Sequence, residues 1–354
     1  MHLGKFILIF FPIIISINYF IIKNYKYLLL SSSVDKEFYK PQAFHNKPVP
    51  RIGGFLIFIY FIFLIIFFLE KNVLFFKIIT LGSFFFLIGF LGDINFKISA
   101  NKRLFLMITA SILVIFFFDI KIFKTQFYLL DFLLNNYKLF SVIFVCLCLL
   151  FVSNGCNLID GFNGLLIIHV IIILAILYFI NYQSGNYIFL QNAISILLLI
   201  LISILFYNFP KAKIFLGDGG AYFLGTIISL LVIEINNQNM SISPFFFAGI
   251  LYYLFFEVFF SFFRKIFLKM PPLKPDKYHL HMFFFHWFFS KNKNINKANY
   301  LTGLFINIFY FFSILPLLFN YKNALFCKLY FFILLNFYLI SYFALRKKTL
   351  NLTS

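Results

Sequence analysis

A chain of 354 residues that is 63% hydrophobic and only 12% charged, with a mean hydropathy of +0.97, lies far from the soluble average of about 45–50% apolar and 25% charged residues. Such a composition excludes a water-soluble domain and marks an integral membrane protein. The formal net charge of +19 sits in short loops between apolar runs, not on one soluble face, which argues against a nucleic-acid partner and for membrane topology and anionic headgroups.

Eleven apolar stretches follow one another at about 6–22, 52–69, 74–91, 104–118, 139–153, 165–181, 188–207, 222–235, 244–263, 300–319 and 324–344. Crossing about 30 Å of hydrocarbon takes about 20 helical residues, with about 17 as the lower limit. The expected fold is therefore all-α: one polytopic transmembrane domain over residues 1–354 with about 11 helices. Lys5 precedes the first stretch as in a signal peptide, but no small-residue cleavage site follows, so this stretch is kept as a membrane anchor. The cysteines Cys146, Cys148, Cys156 and Cys327 lack metal-ligand spacing and read as small core hydrophobes.

Placing alternate loops on opposite sides puts 22 of the 30 Lys and Arg on one side. By the positive-inside rule that side is cytoplasmic, with the N-terminus outside and Arg346, Lys347 and Lys348 inside. The cytoplasmic loops are then about 23–51, 92–103, 153–164, 208–221 and 264–299, and they hold every unusual polar cluster. The opposite loops at 181–187 and 236–243 read as connectors, and the segment 119–138 is expected along the interface.

The centre of the pattern is Asn154 to Gly164, N-G-C-N-L-I-D-G-F-N-G, a polar island between apolar runs. Its Asn154, Asn157, Asp160 and Asn163 offer amide donors and oxygen acceptors, although Asn, Asp and Gly are also what ordinary turns use. Asp93 ends the third stretch and Asp218 stands in F-L-G-D-G-G before the eighth. A carboxylate at the end of a span is costly unless it is paired or metal-bound, so three on one face suggest a shared cation. Each alone would pass for a helix cap. Mg²⁺ suits such oxygen donors, with Mn²⁺ as the alternative, and no thiolate or compact His set argues for zinc. Lys47, Arg51 and Lys213 stand where Gly or Pro fixes the backbone and would hold phosphate, whereas Lys102, Lys211 and most loop lysines read as topology signals. In P-D-K-Y-H-L-H, His279 and His281 would share one side of an extended segment, available to phosphate oxygens or a proton.

Taken together, N-L-I-D-G, F-L-G-D-G-G-A-Y-F-L-G and P-D-K-Y-H-L-H resemble the polyprenyl-phosphate N-acetylhexosamine-1-phosphate transferases, the superfamily that includes phospho-MurNAc-pentapeptide translocase. The resemblance runs from Asp35 to about His281. It implies transfer of a sugar 1-phosphate from a UDP-sugar to undecaprenyl phosphate, with release of UMP, as the first step of a cell-envelope polysaccharide. It also implies Mg²⁺, a multi-pass protein of the inner membrane, and a cytoplasmic site.

By position, Asp218 matches the family's Mg²⁺ ligand and Asp93 the second Asp of an Asp-Asp pair, as base or metal partner. Asn157 and Asp160 match the residues that handle the nucleotide sugar, and Asn208 matches an Asn ahead of the G-D motif. His279 and His281 match the family's H-x-H, and His45, Lys47, Arg51, Gly53 and Gly54 match its first loop. Two positions depart: Gly92 replaces the first Asp of the pair, and Asn163 an expected Asp, with Glu257 as a substitute acid. The alternatives are a lipid-linked sugar transporter and an inactive scaffold; a homodimer stays open, as does the sugar.

Overall fold

A computed structural model describes residues 3–25, 33–35, 48–96, 98–185, 187–272, 274 and 276–353. In chain order the elements are α1 (Leu3–Asn24), the paired antiparallel strands β1 (Val34–Asp35) and β2 (Val49–Pro50), α2 (Gly53–Phe68), α3 (Val73–Asp93) and α4 (Ala100–Phe118). There follow α5 (Tyr128–Asn136), α6 (Lys138–Ile159), α7 (Leu165–Ser184), α8 (Ile188–Asn208), α9 (Gly217–Gln238), α10 (Pro244–Ile250), α11 (Tyr252–Phe267), α12 (Leu280–Asn292), α13 (Ile295–Phe319) and α14 (Ala324–Thr353).

Every apolar stretch read from the sequence falls on helix, because in hydrocarbon a helix satisfies each backbone N–H and C=O within its own segment. The molecule is an all-α polytopic membrane protein. Among the described residues eight helices are long and apolar enough to cross a membrane, or nine if α10 and α11, a pair bent by 72°, form one broken span. Helix α1 runs over 22 residues, Leu3–Asn24, and α2 is a shorter apolar helix of 16, Gly53–Phe68.

Helix α9 is the axis of the bundle. Of its apolar window 89% is buried, against 17% for α14, and α2, α3, α6 and α7 pack around it. Exposed side chains such as Phe117, Phe267 and Phe319 cover the outer helices, an exterior suited to lipid and not to water.

Three boundaries differ from the sequence reading. The stretch 244–263 breaks at Leu251, and the carbonyl of Ile250 freed there accepts from the Tyr310 hydroxyl at 2.5 Å. The island is half helical, since α6 runs to Ile159; the G-D-G-G segment is the first turn of α9, not a loop before it. At the far end of the bundle, Lys124 donates to the carbonyls of Asn239, Met240 and Ile242 at 2.7–3.0 Å. The turn ahead of α5 is thereby tied to the α9–α10 connection, while Tyr128, Leu129 and Phe132 on α5 remain exposed.

Candidate active site

Asp93, the last residue of α3, turns its carboxylate onto the start of α9. Its Oδ1 accepts from the Asp218 amide and its Oδ2 from the Gly219 amide, both at 2.8 Å. The first amides of a helix have no partner within it and form the positive end of its dipole, so another helix supplies this cap. Gly217 makes the approach possible: its φ of 76° is left-handed, and a Cβ there would lie 2.5–2.6 Å from the Asp93 carboxylate. Asp93 is 3% exposed, whereas the Asp218 side chain is 31% exposed. Of the two, Asp218 is the one a ligand can reach.

Asp218 is held on both sides. Its Oδ2 pairs with Nη1 of Arg103, and its Oδ1 accepts from Nδ2 of Asn157 at 2.8 Å. Tyr222, one turn along α9, donates to Asn157 Oδ1 at 3.3 Å and lies 5.5 Å beneath the Arg103 guanidinium. Asp160 follows the last turn of α6, three residues after Asn157, and is partly buried. Removal from water pushes its carboxyl well above the usual range, and the charges of Asp218 and Asp93 push it further, against Arg51 and the Gly217 amide. The structure thus brings Asp93, Asp160 and Asp218 together, with Arg103 and Arg51 as the nearby cations.

The end of the first loop is stitched onto the same place. Phe215 N–H donates to Pro50 O, while Gly53 and Gly54 N–H donate to Phe215 O and Leu216 O, each at 2.9 Å. A Cβ on Gly54 would penetrate the backbone of Gly220, so these residues serve close packing beside G-D-G-G. His45 and Lys47 lie outside the described residues. Lys213 is exposed, with its ammonium 5.9 Å over the Tyr207 ring.

Three asparagines expected to bind substrate have their amides engaged in the scaffold. Asn154 Nδ2 donates to Leu150 O at 2.8 Å. Asn208 accepts from Gly164 N–H at 2.7 Å and donates to Ile214 O at 2.9 Å, tying the start of α7 to the loop after α8. Asn163 donates through Nδ2 to Pro210 O at 2.9 Å and through its backbone to Asn299 Oδ1 at 2.7 Å. An Asp at 163 lacks that side-chain donor, which gives the Asn a local reason. At the other departure, a Cβ on Gly92 would stand 3.5 Å from Asp218 Oδ2 and 3.7 Å from Arg103 Nη1. The position borders the site and has room for a side chain.

His279 and His281 form a second cluster, with ring planes parallel and centroids 5.3 Å apart. His279 Nδ1 is 3.1 Å from Glu257 Oε2, and its Nε2 is 3.0 Å from Asp276 Oδ1. Asp276 Oδ2 also accepts from Arg264 Nη2 at 2.8 Å. Burial acts to lower the His279 pKa, but Asp276 and Glu257 outweigh it and raise the group above its ordinary value. For Asp276, burial is outweighed by His279, Lys265 and Arg264, which bring the carboxyl down to about 2. Phe162 of the island lies 5.7 Å from the His281 ring and joins this cluster to the first.

Arg264 was not singled out from the sequence, and Arg103 was read only together with Lys102, as a cation flanking the carboxylates that could hold a diphosphate. A signal for Arg103 existed: the link between α3 and α4 is short, so the first turn of α4 must return beside the last turn of α3. Among the described residues, no three His, Cys, Asp or Glu side chains converge to hold a metal by themselves.

The model of glycosyl transferase family 4 matches residues 75–236, which contain Asp93, Asp160 and Asp218. The chain is 28% identical over 246 residues to the "Probable undecaprenyl-phosphate N-acetylglucosaminyl 1-phosphate transferase" of Bacillus subtilis, covering 67% of this chain and 66% of that one. It is 28% identical over 242 residues to the undecaprenyl-phosphate alpha-N-acetylglucosaminyl 1-phosphate transferase of Thermotoga maritima, covering 68% and 69%. To the phospho-N-acetylmuramoyl-pentapeptide-transferase of Dictyoglomus turgidum it is 32% identical over 244 residues, covering 64% and 74%.

Proposed function

The chain belongs to glycosyl transferase family 4, and on that premise we propose that it transfers N-acetylhexosamine 1-phosphate from a UDP-sugar to undecaprenyl phosphate. The observation that carries this reading is Asp218: a reachable carboxylate on the first turn of a buried helix, flanked by Arg103, Asn157 and Asp160.

A lipid phosphate and a UDP-sugar are both anions, and their repulsion is the main obstacle to alignment. Arg103 and Arg51 offset it from the protein side. The donors fit Mg²⁺, which takes one or two carboxylates plus phosphate oxygens and water: Asp218 would hold it, with Asp160 as the second carboxylate. When bound, such an ion neutralises diphosphate oxygens and orients them. Asp93, with both oxygens on backbone amides, acts by fixing the first turn of α9. Asn157 orients Asp218 and is placed to meet the nucleotide sugar. The lipid phosphate oxygen then bonds to the β-phosphorus as the bond to the bridging oxygen breaks, and UMP leaves. A phosphate with a second pKa near 6 is already largely ionised, so the attack needs positioning more than a base.

The excess of Lys and Arg in the loops that carry these residues supports a cytoplasmic face of the inner membrane. The product would be the lipid-linked first sugar of an envelope polysaccharide. In membranes given UDP-GlcNAc and undecaprenyl phosphate, Asp218→Asn should abolish Mg²⁺-dependent UMP release at unchanged protein level. Activity retained in that variant would remove Asp218 from the centre of this reading.

A further inference from the structure

The H-x-H pair is not made of equivalent groups. His279 has both ring nitrogens engaged, at 3.1 Å by Glu257 and at 3.0 Å by Asp276. His281 lies 3.6 Å from Glu257 through Nδ1, beyond hydrogen-bond length, and its buried Nε2 has no partner among the described residues. Glu257 is itself buried on α11, and its Oε1 accepts from the Leu280 amide at 3.1 Å, between the two histidines. One carboxylate therefore touches His279 and Leu280 and backs His281 within a single turn of chain. The Arg264–Asp276 pair closes the loop on its other side.

Building on the transferase reading above, we infer that Glu257 is a positioning residue: it fixes His279 as the keystone of the loop and leaves His281 to offer Nε2 to a phosphate oxygen. Two features support that division. A buried polar atom without a protein partner calls for an explanation, and His281 packs against Phe162, two residues from Asp160. His279 cannot turn to a ligand without abandoning two buried carboxylates, whereas His281 gives up no hydrogen bond.

The charges order the same way. Glu257 and Asp276 face His279 from α11 and from the loop, with Arg264 and Lys265 beyond Asp276. Tyr253 on α11 and Tyr338 and Tyr342 on α14 lie beside Glu257. Protonation of His279, which both carboxylates favour, together with Arg264 would balance their two charges. His281 is lowered mainly by burial, against the opposing pull of Glu257; a neutral ring carries one N–H, and a phosphate oxygen, which only accepts, favours the form that carries it on Nε2.

The full chain in membranes tests this: kcat and KM for UDP-GlcNAc are followed across pH, with undecaprenyl phosphate and Mg²⁺ saturating. Glu257→Gln should lower kcat about 100-fold, as misplacement by about 1 Å does, with KM changed far less. Its alkaline limb should move to lower pH, because losing the Glu257 charge lets His279 lose its proton sooner. Glu257→Asp should keep that limb near its original place even if the amplitude falls, which separates a charge effect from poor folding. His281→Asn should lose turnover at every pH, while His281→Gln, whose amide nitrogen stands near the Nε2 position, should recover part of it. An active wild type whose Glu257→Gln variant keeps the original pH limb, or whose His281→Asn variant turns over normally, would overturn this inference alone. A wild type that releases no UMP from any UDP-sugar would overturn the transferase reading and this inference together.

Discussion

Two clusters of buried or half-buried charge stand side by side, and they are built on opposite principles. Around Glu257, Asp276, Arg264 and His279 every acid has a protein partner within 3.1 Å. Around Asp93, Asp160 and Asp218 the acids crowd one another enough to push Asp160 up, with Arg103 and Arg51 as partial relief. In the first cluster each acid faces a cation or an imidazole; in the second the acids outnumber the cations near them. A buried ion network can thus be scaffold or site, and the charge left over decides which.

The sharpest way to break the comparison is at Asp218. Asp218→Asn should reduce UMP release about 1,000-fold or more, as removal of a preorganised electrostatic group does, and should leave thermal unfolding in detergent nearly unchanged, because Asp218 is 31% exposed on its side chain. The paired cluster should answer the other way round. Arg264→Ala, which strips Asp276 Oδ2 of its partner and leaves the buried carboxylate to His279 alone, should cost about 1–3 kcal/mol of stability, read as a lowered unfolding temperature. If Arg264→Ala unfolds like wild type, the cluster is not the scaffold described.

Close packing gives a comparable effect. Gly54→Ala forces a Cβ into the Gly220 backbone and should cost about 1–3 kcal/mol; it should also displace the first loop, seen as faster proteolysis near Pro50. A pH titration sharpens the contrast. The raised His279 contributes stability that is full below its unfolded pKa of about 6.5 and is lost as pH rises through the higher folded value. The lowered Asp276 contributes above its unfolded pKa of about 3.9 and fades as pH falls towards about 2. Unfolding temperature should therefore be highest at mildly acidic pH and decline as pH rises above about 6.5. The smallest effect is expected at Asn163→Asp, which loses one hydrogen bond to Pro210, about 1 kcal/mol, with UMP release maintained.

The residues that the fold gathers at the candidate site were legible where their type alone is anomalous. Asp93, Asp160 and Asp218 stood out because an acid at the end of an apolar run has few reasons to be there. Arg264 did not, and Arg103 stood no higher than its neighbour Lys102, because in a basic membrane protein every loop cation already has an explanation in topology. Asn154, Asn163 and Asn208 could be read two ways from the sequence: an amide suits a ligand and a helix end equally well, and the backbone groups it meets are fixed only by folding.

Hydropathy and spacing determined that this chain is a helical membrane protein and where its helices lie, since the hydrocarbon sets both composition and length. Only the tertiary structure decided that α9 begins at Gly217 and is capped by Asp93 from α3, that Arg103 rather than a loop lysine meets Asp218, and that His279 and His281 differ. Those outcomes depend on contacts between residues more than a hundred positions apart, or on which of two identical side chains is given both its partners, and no local pattern of apolar and polar residues encodes either.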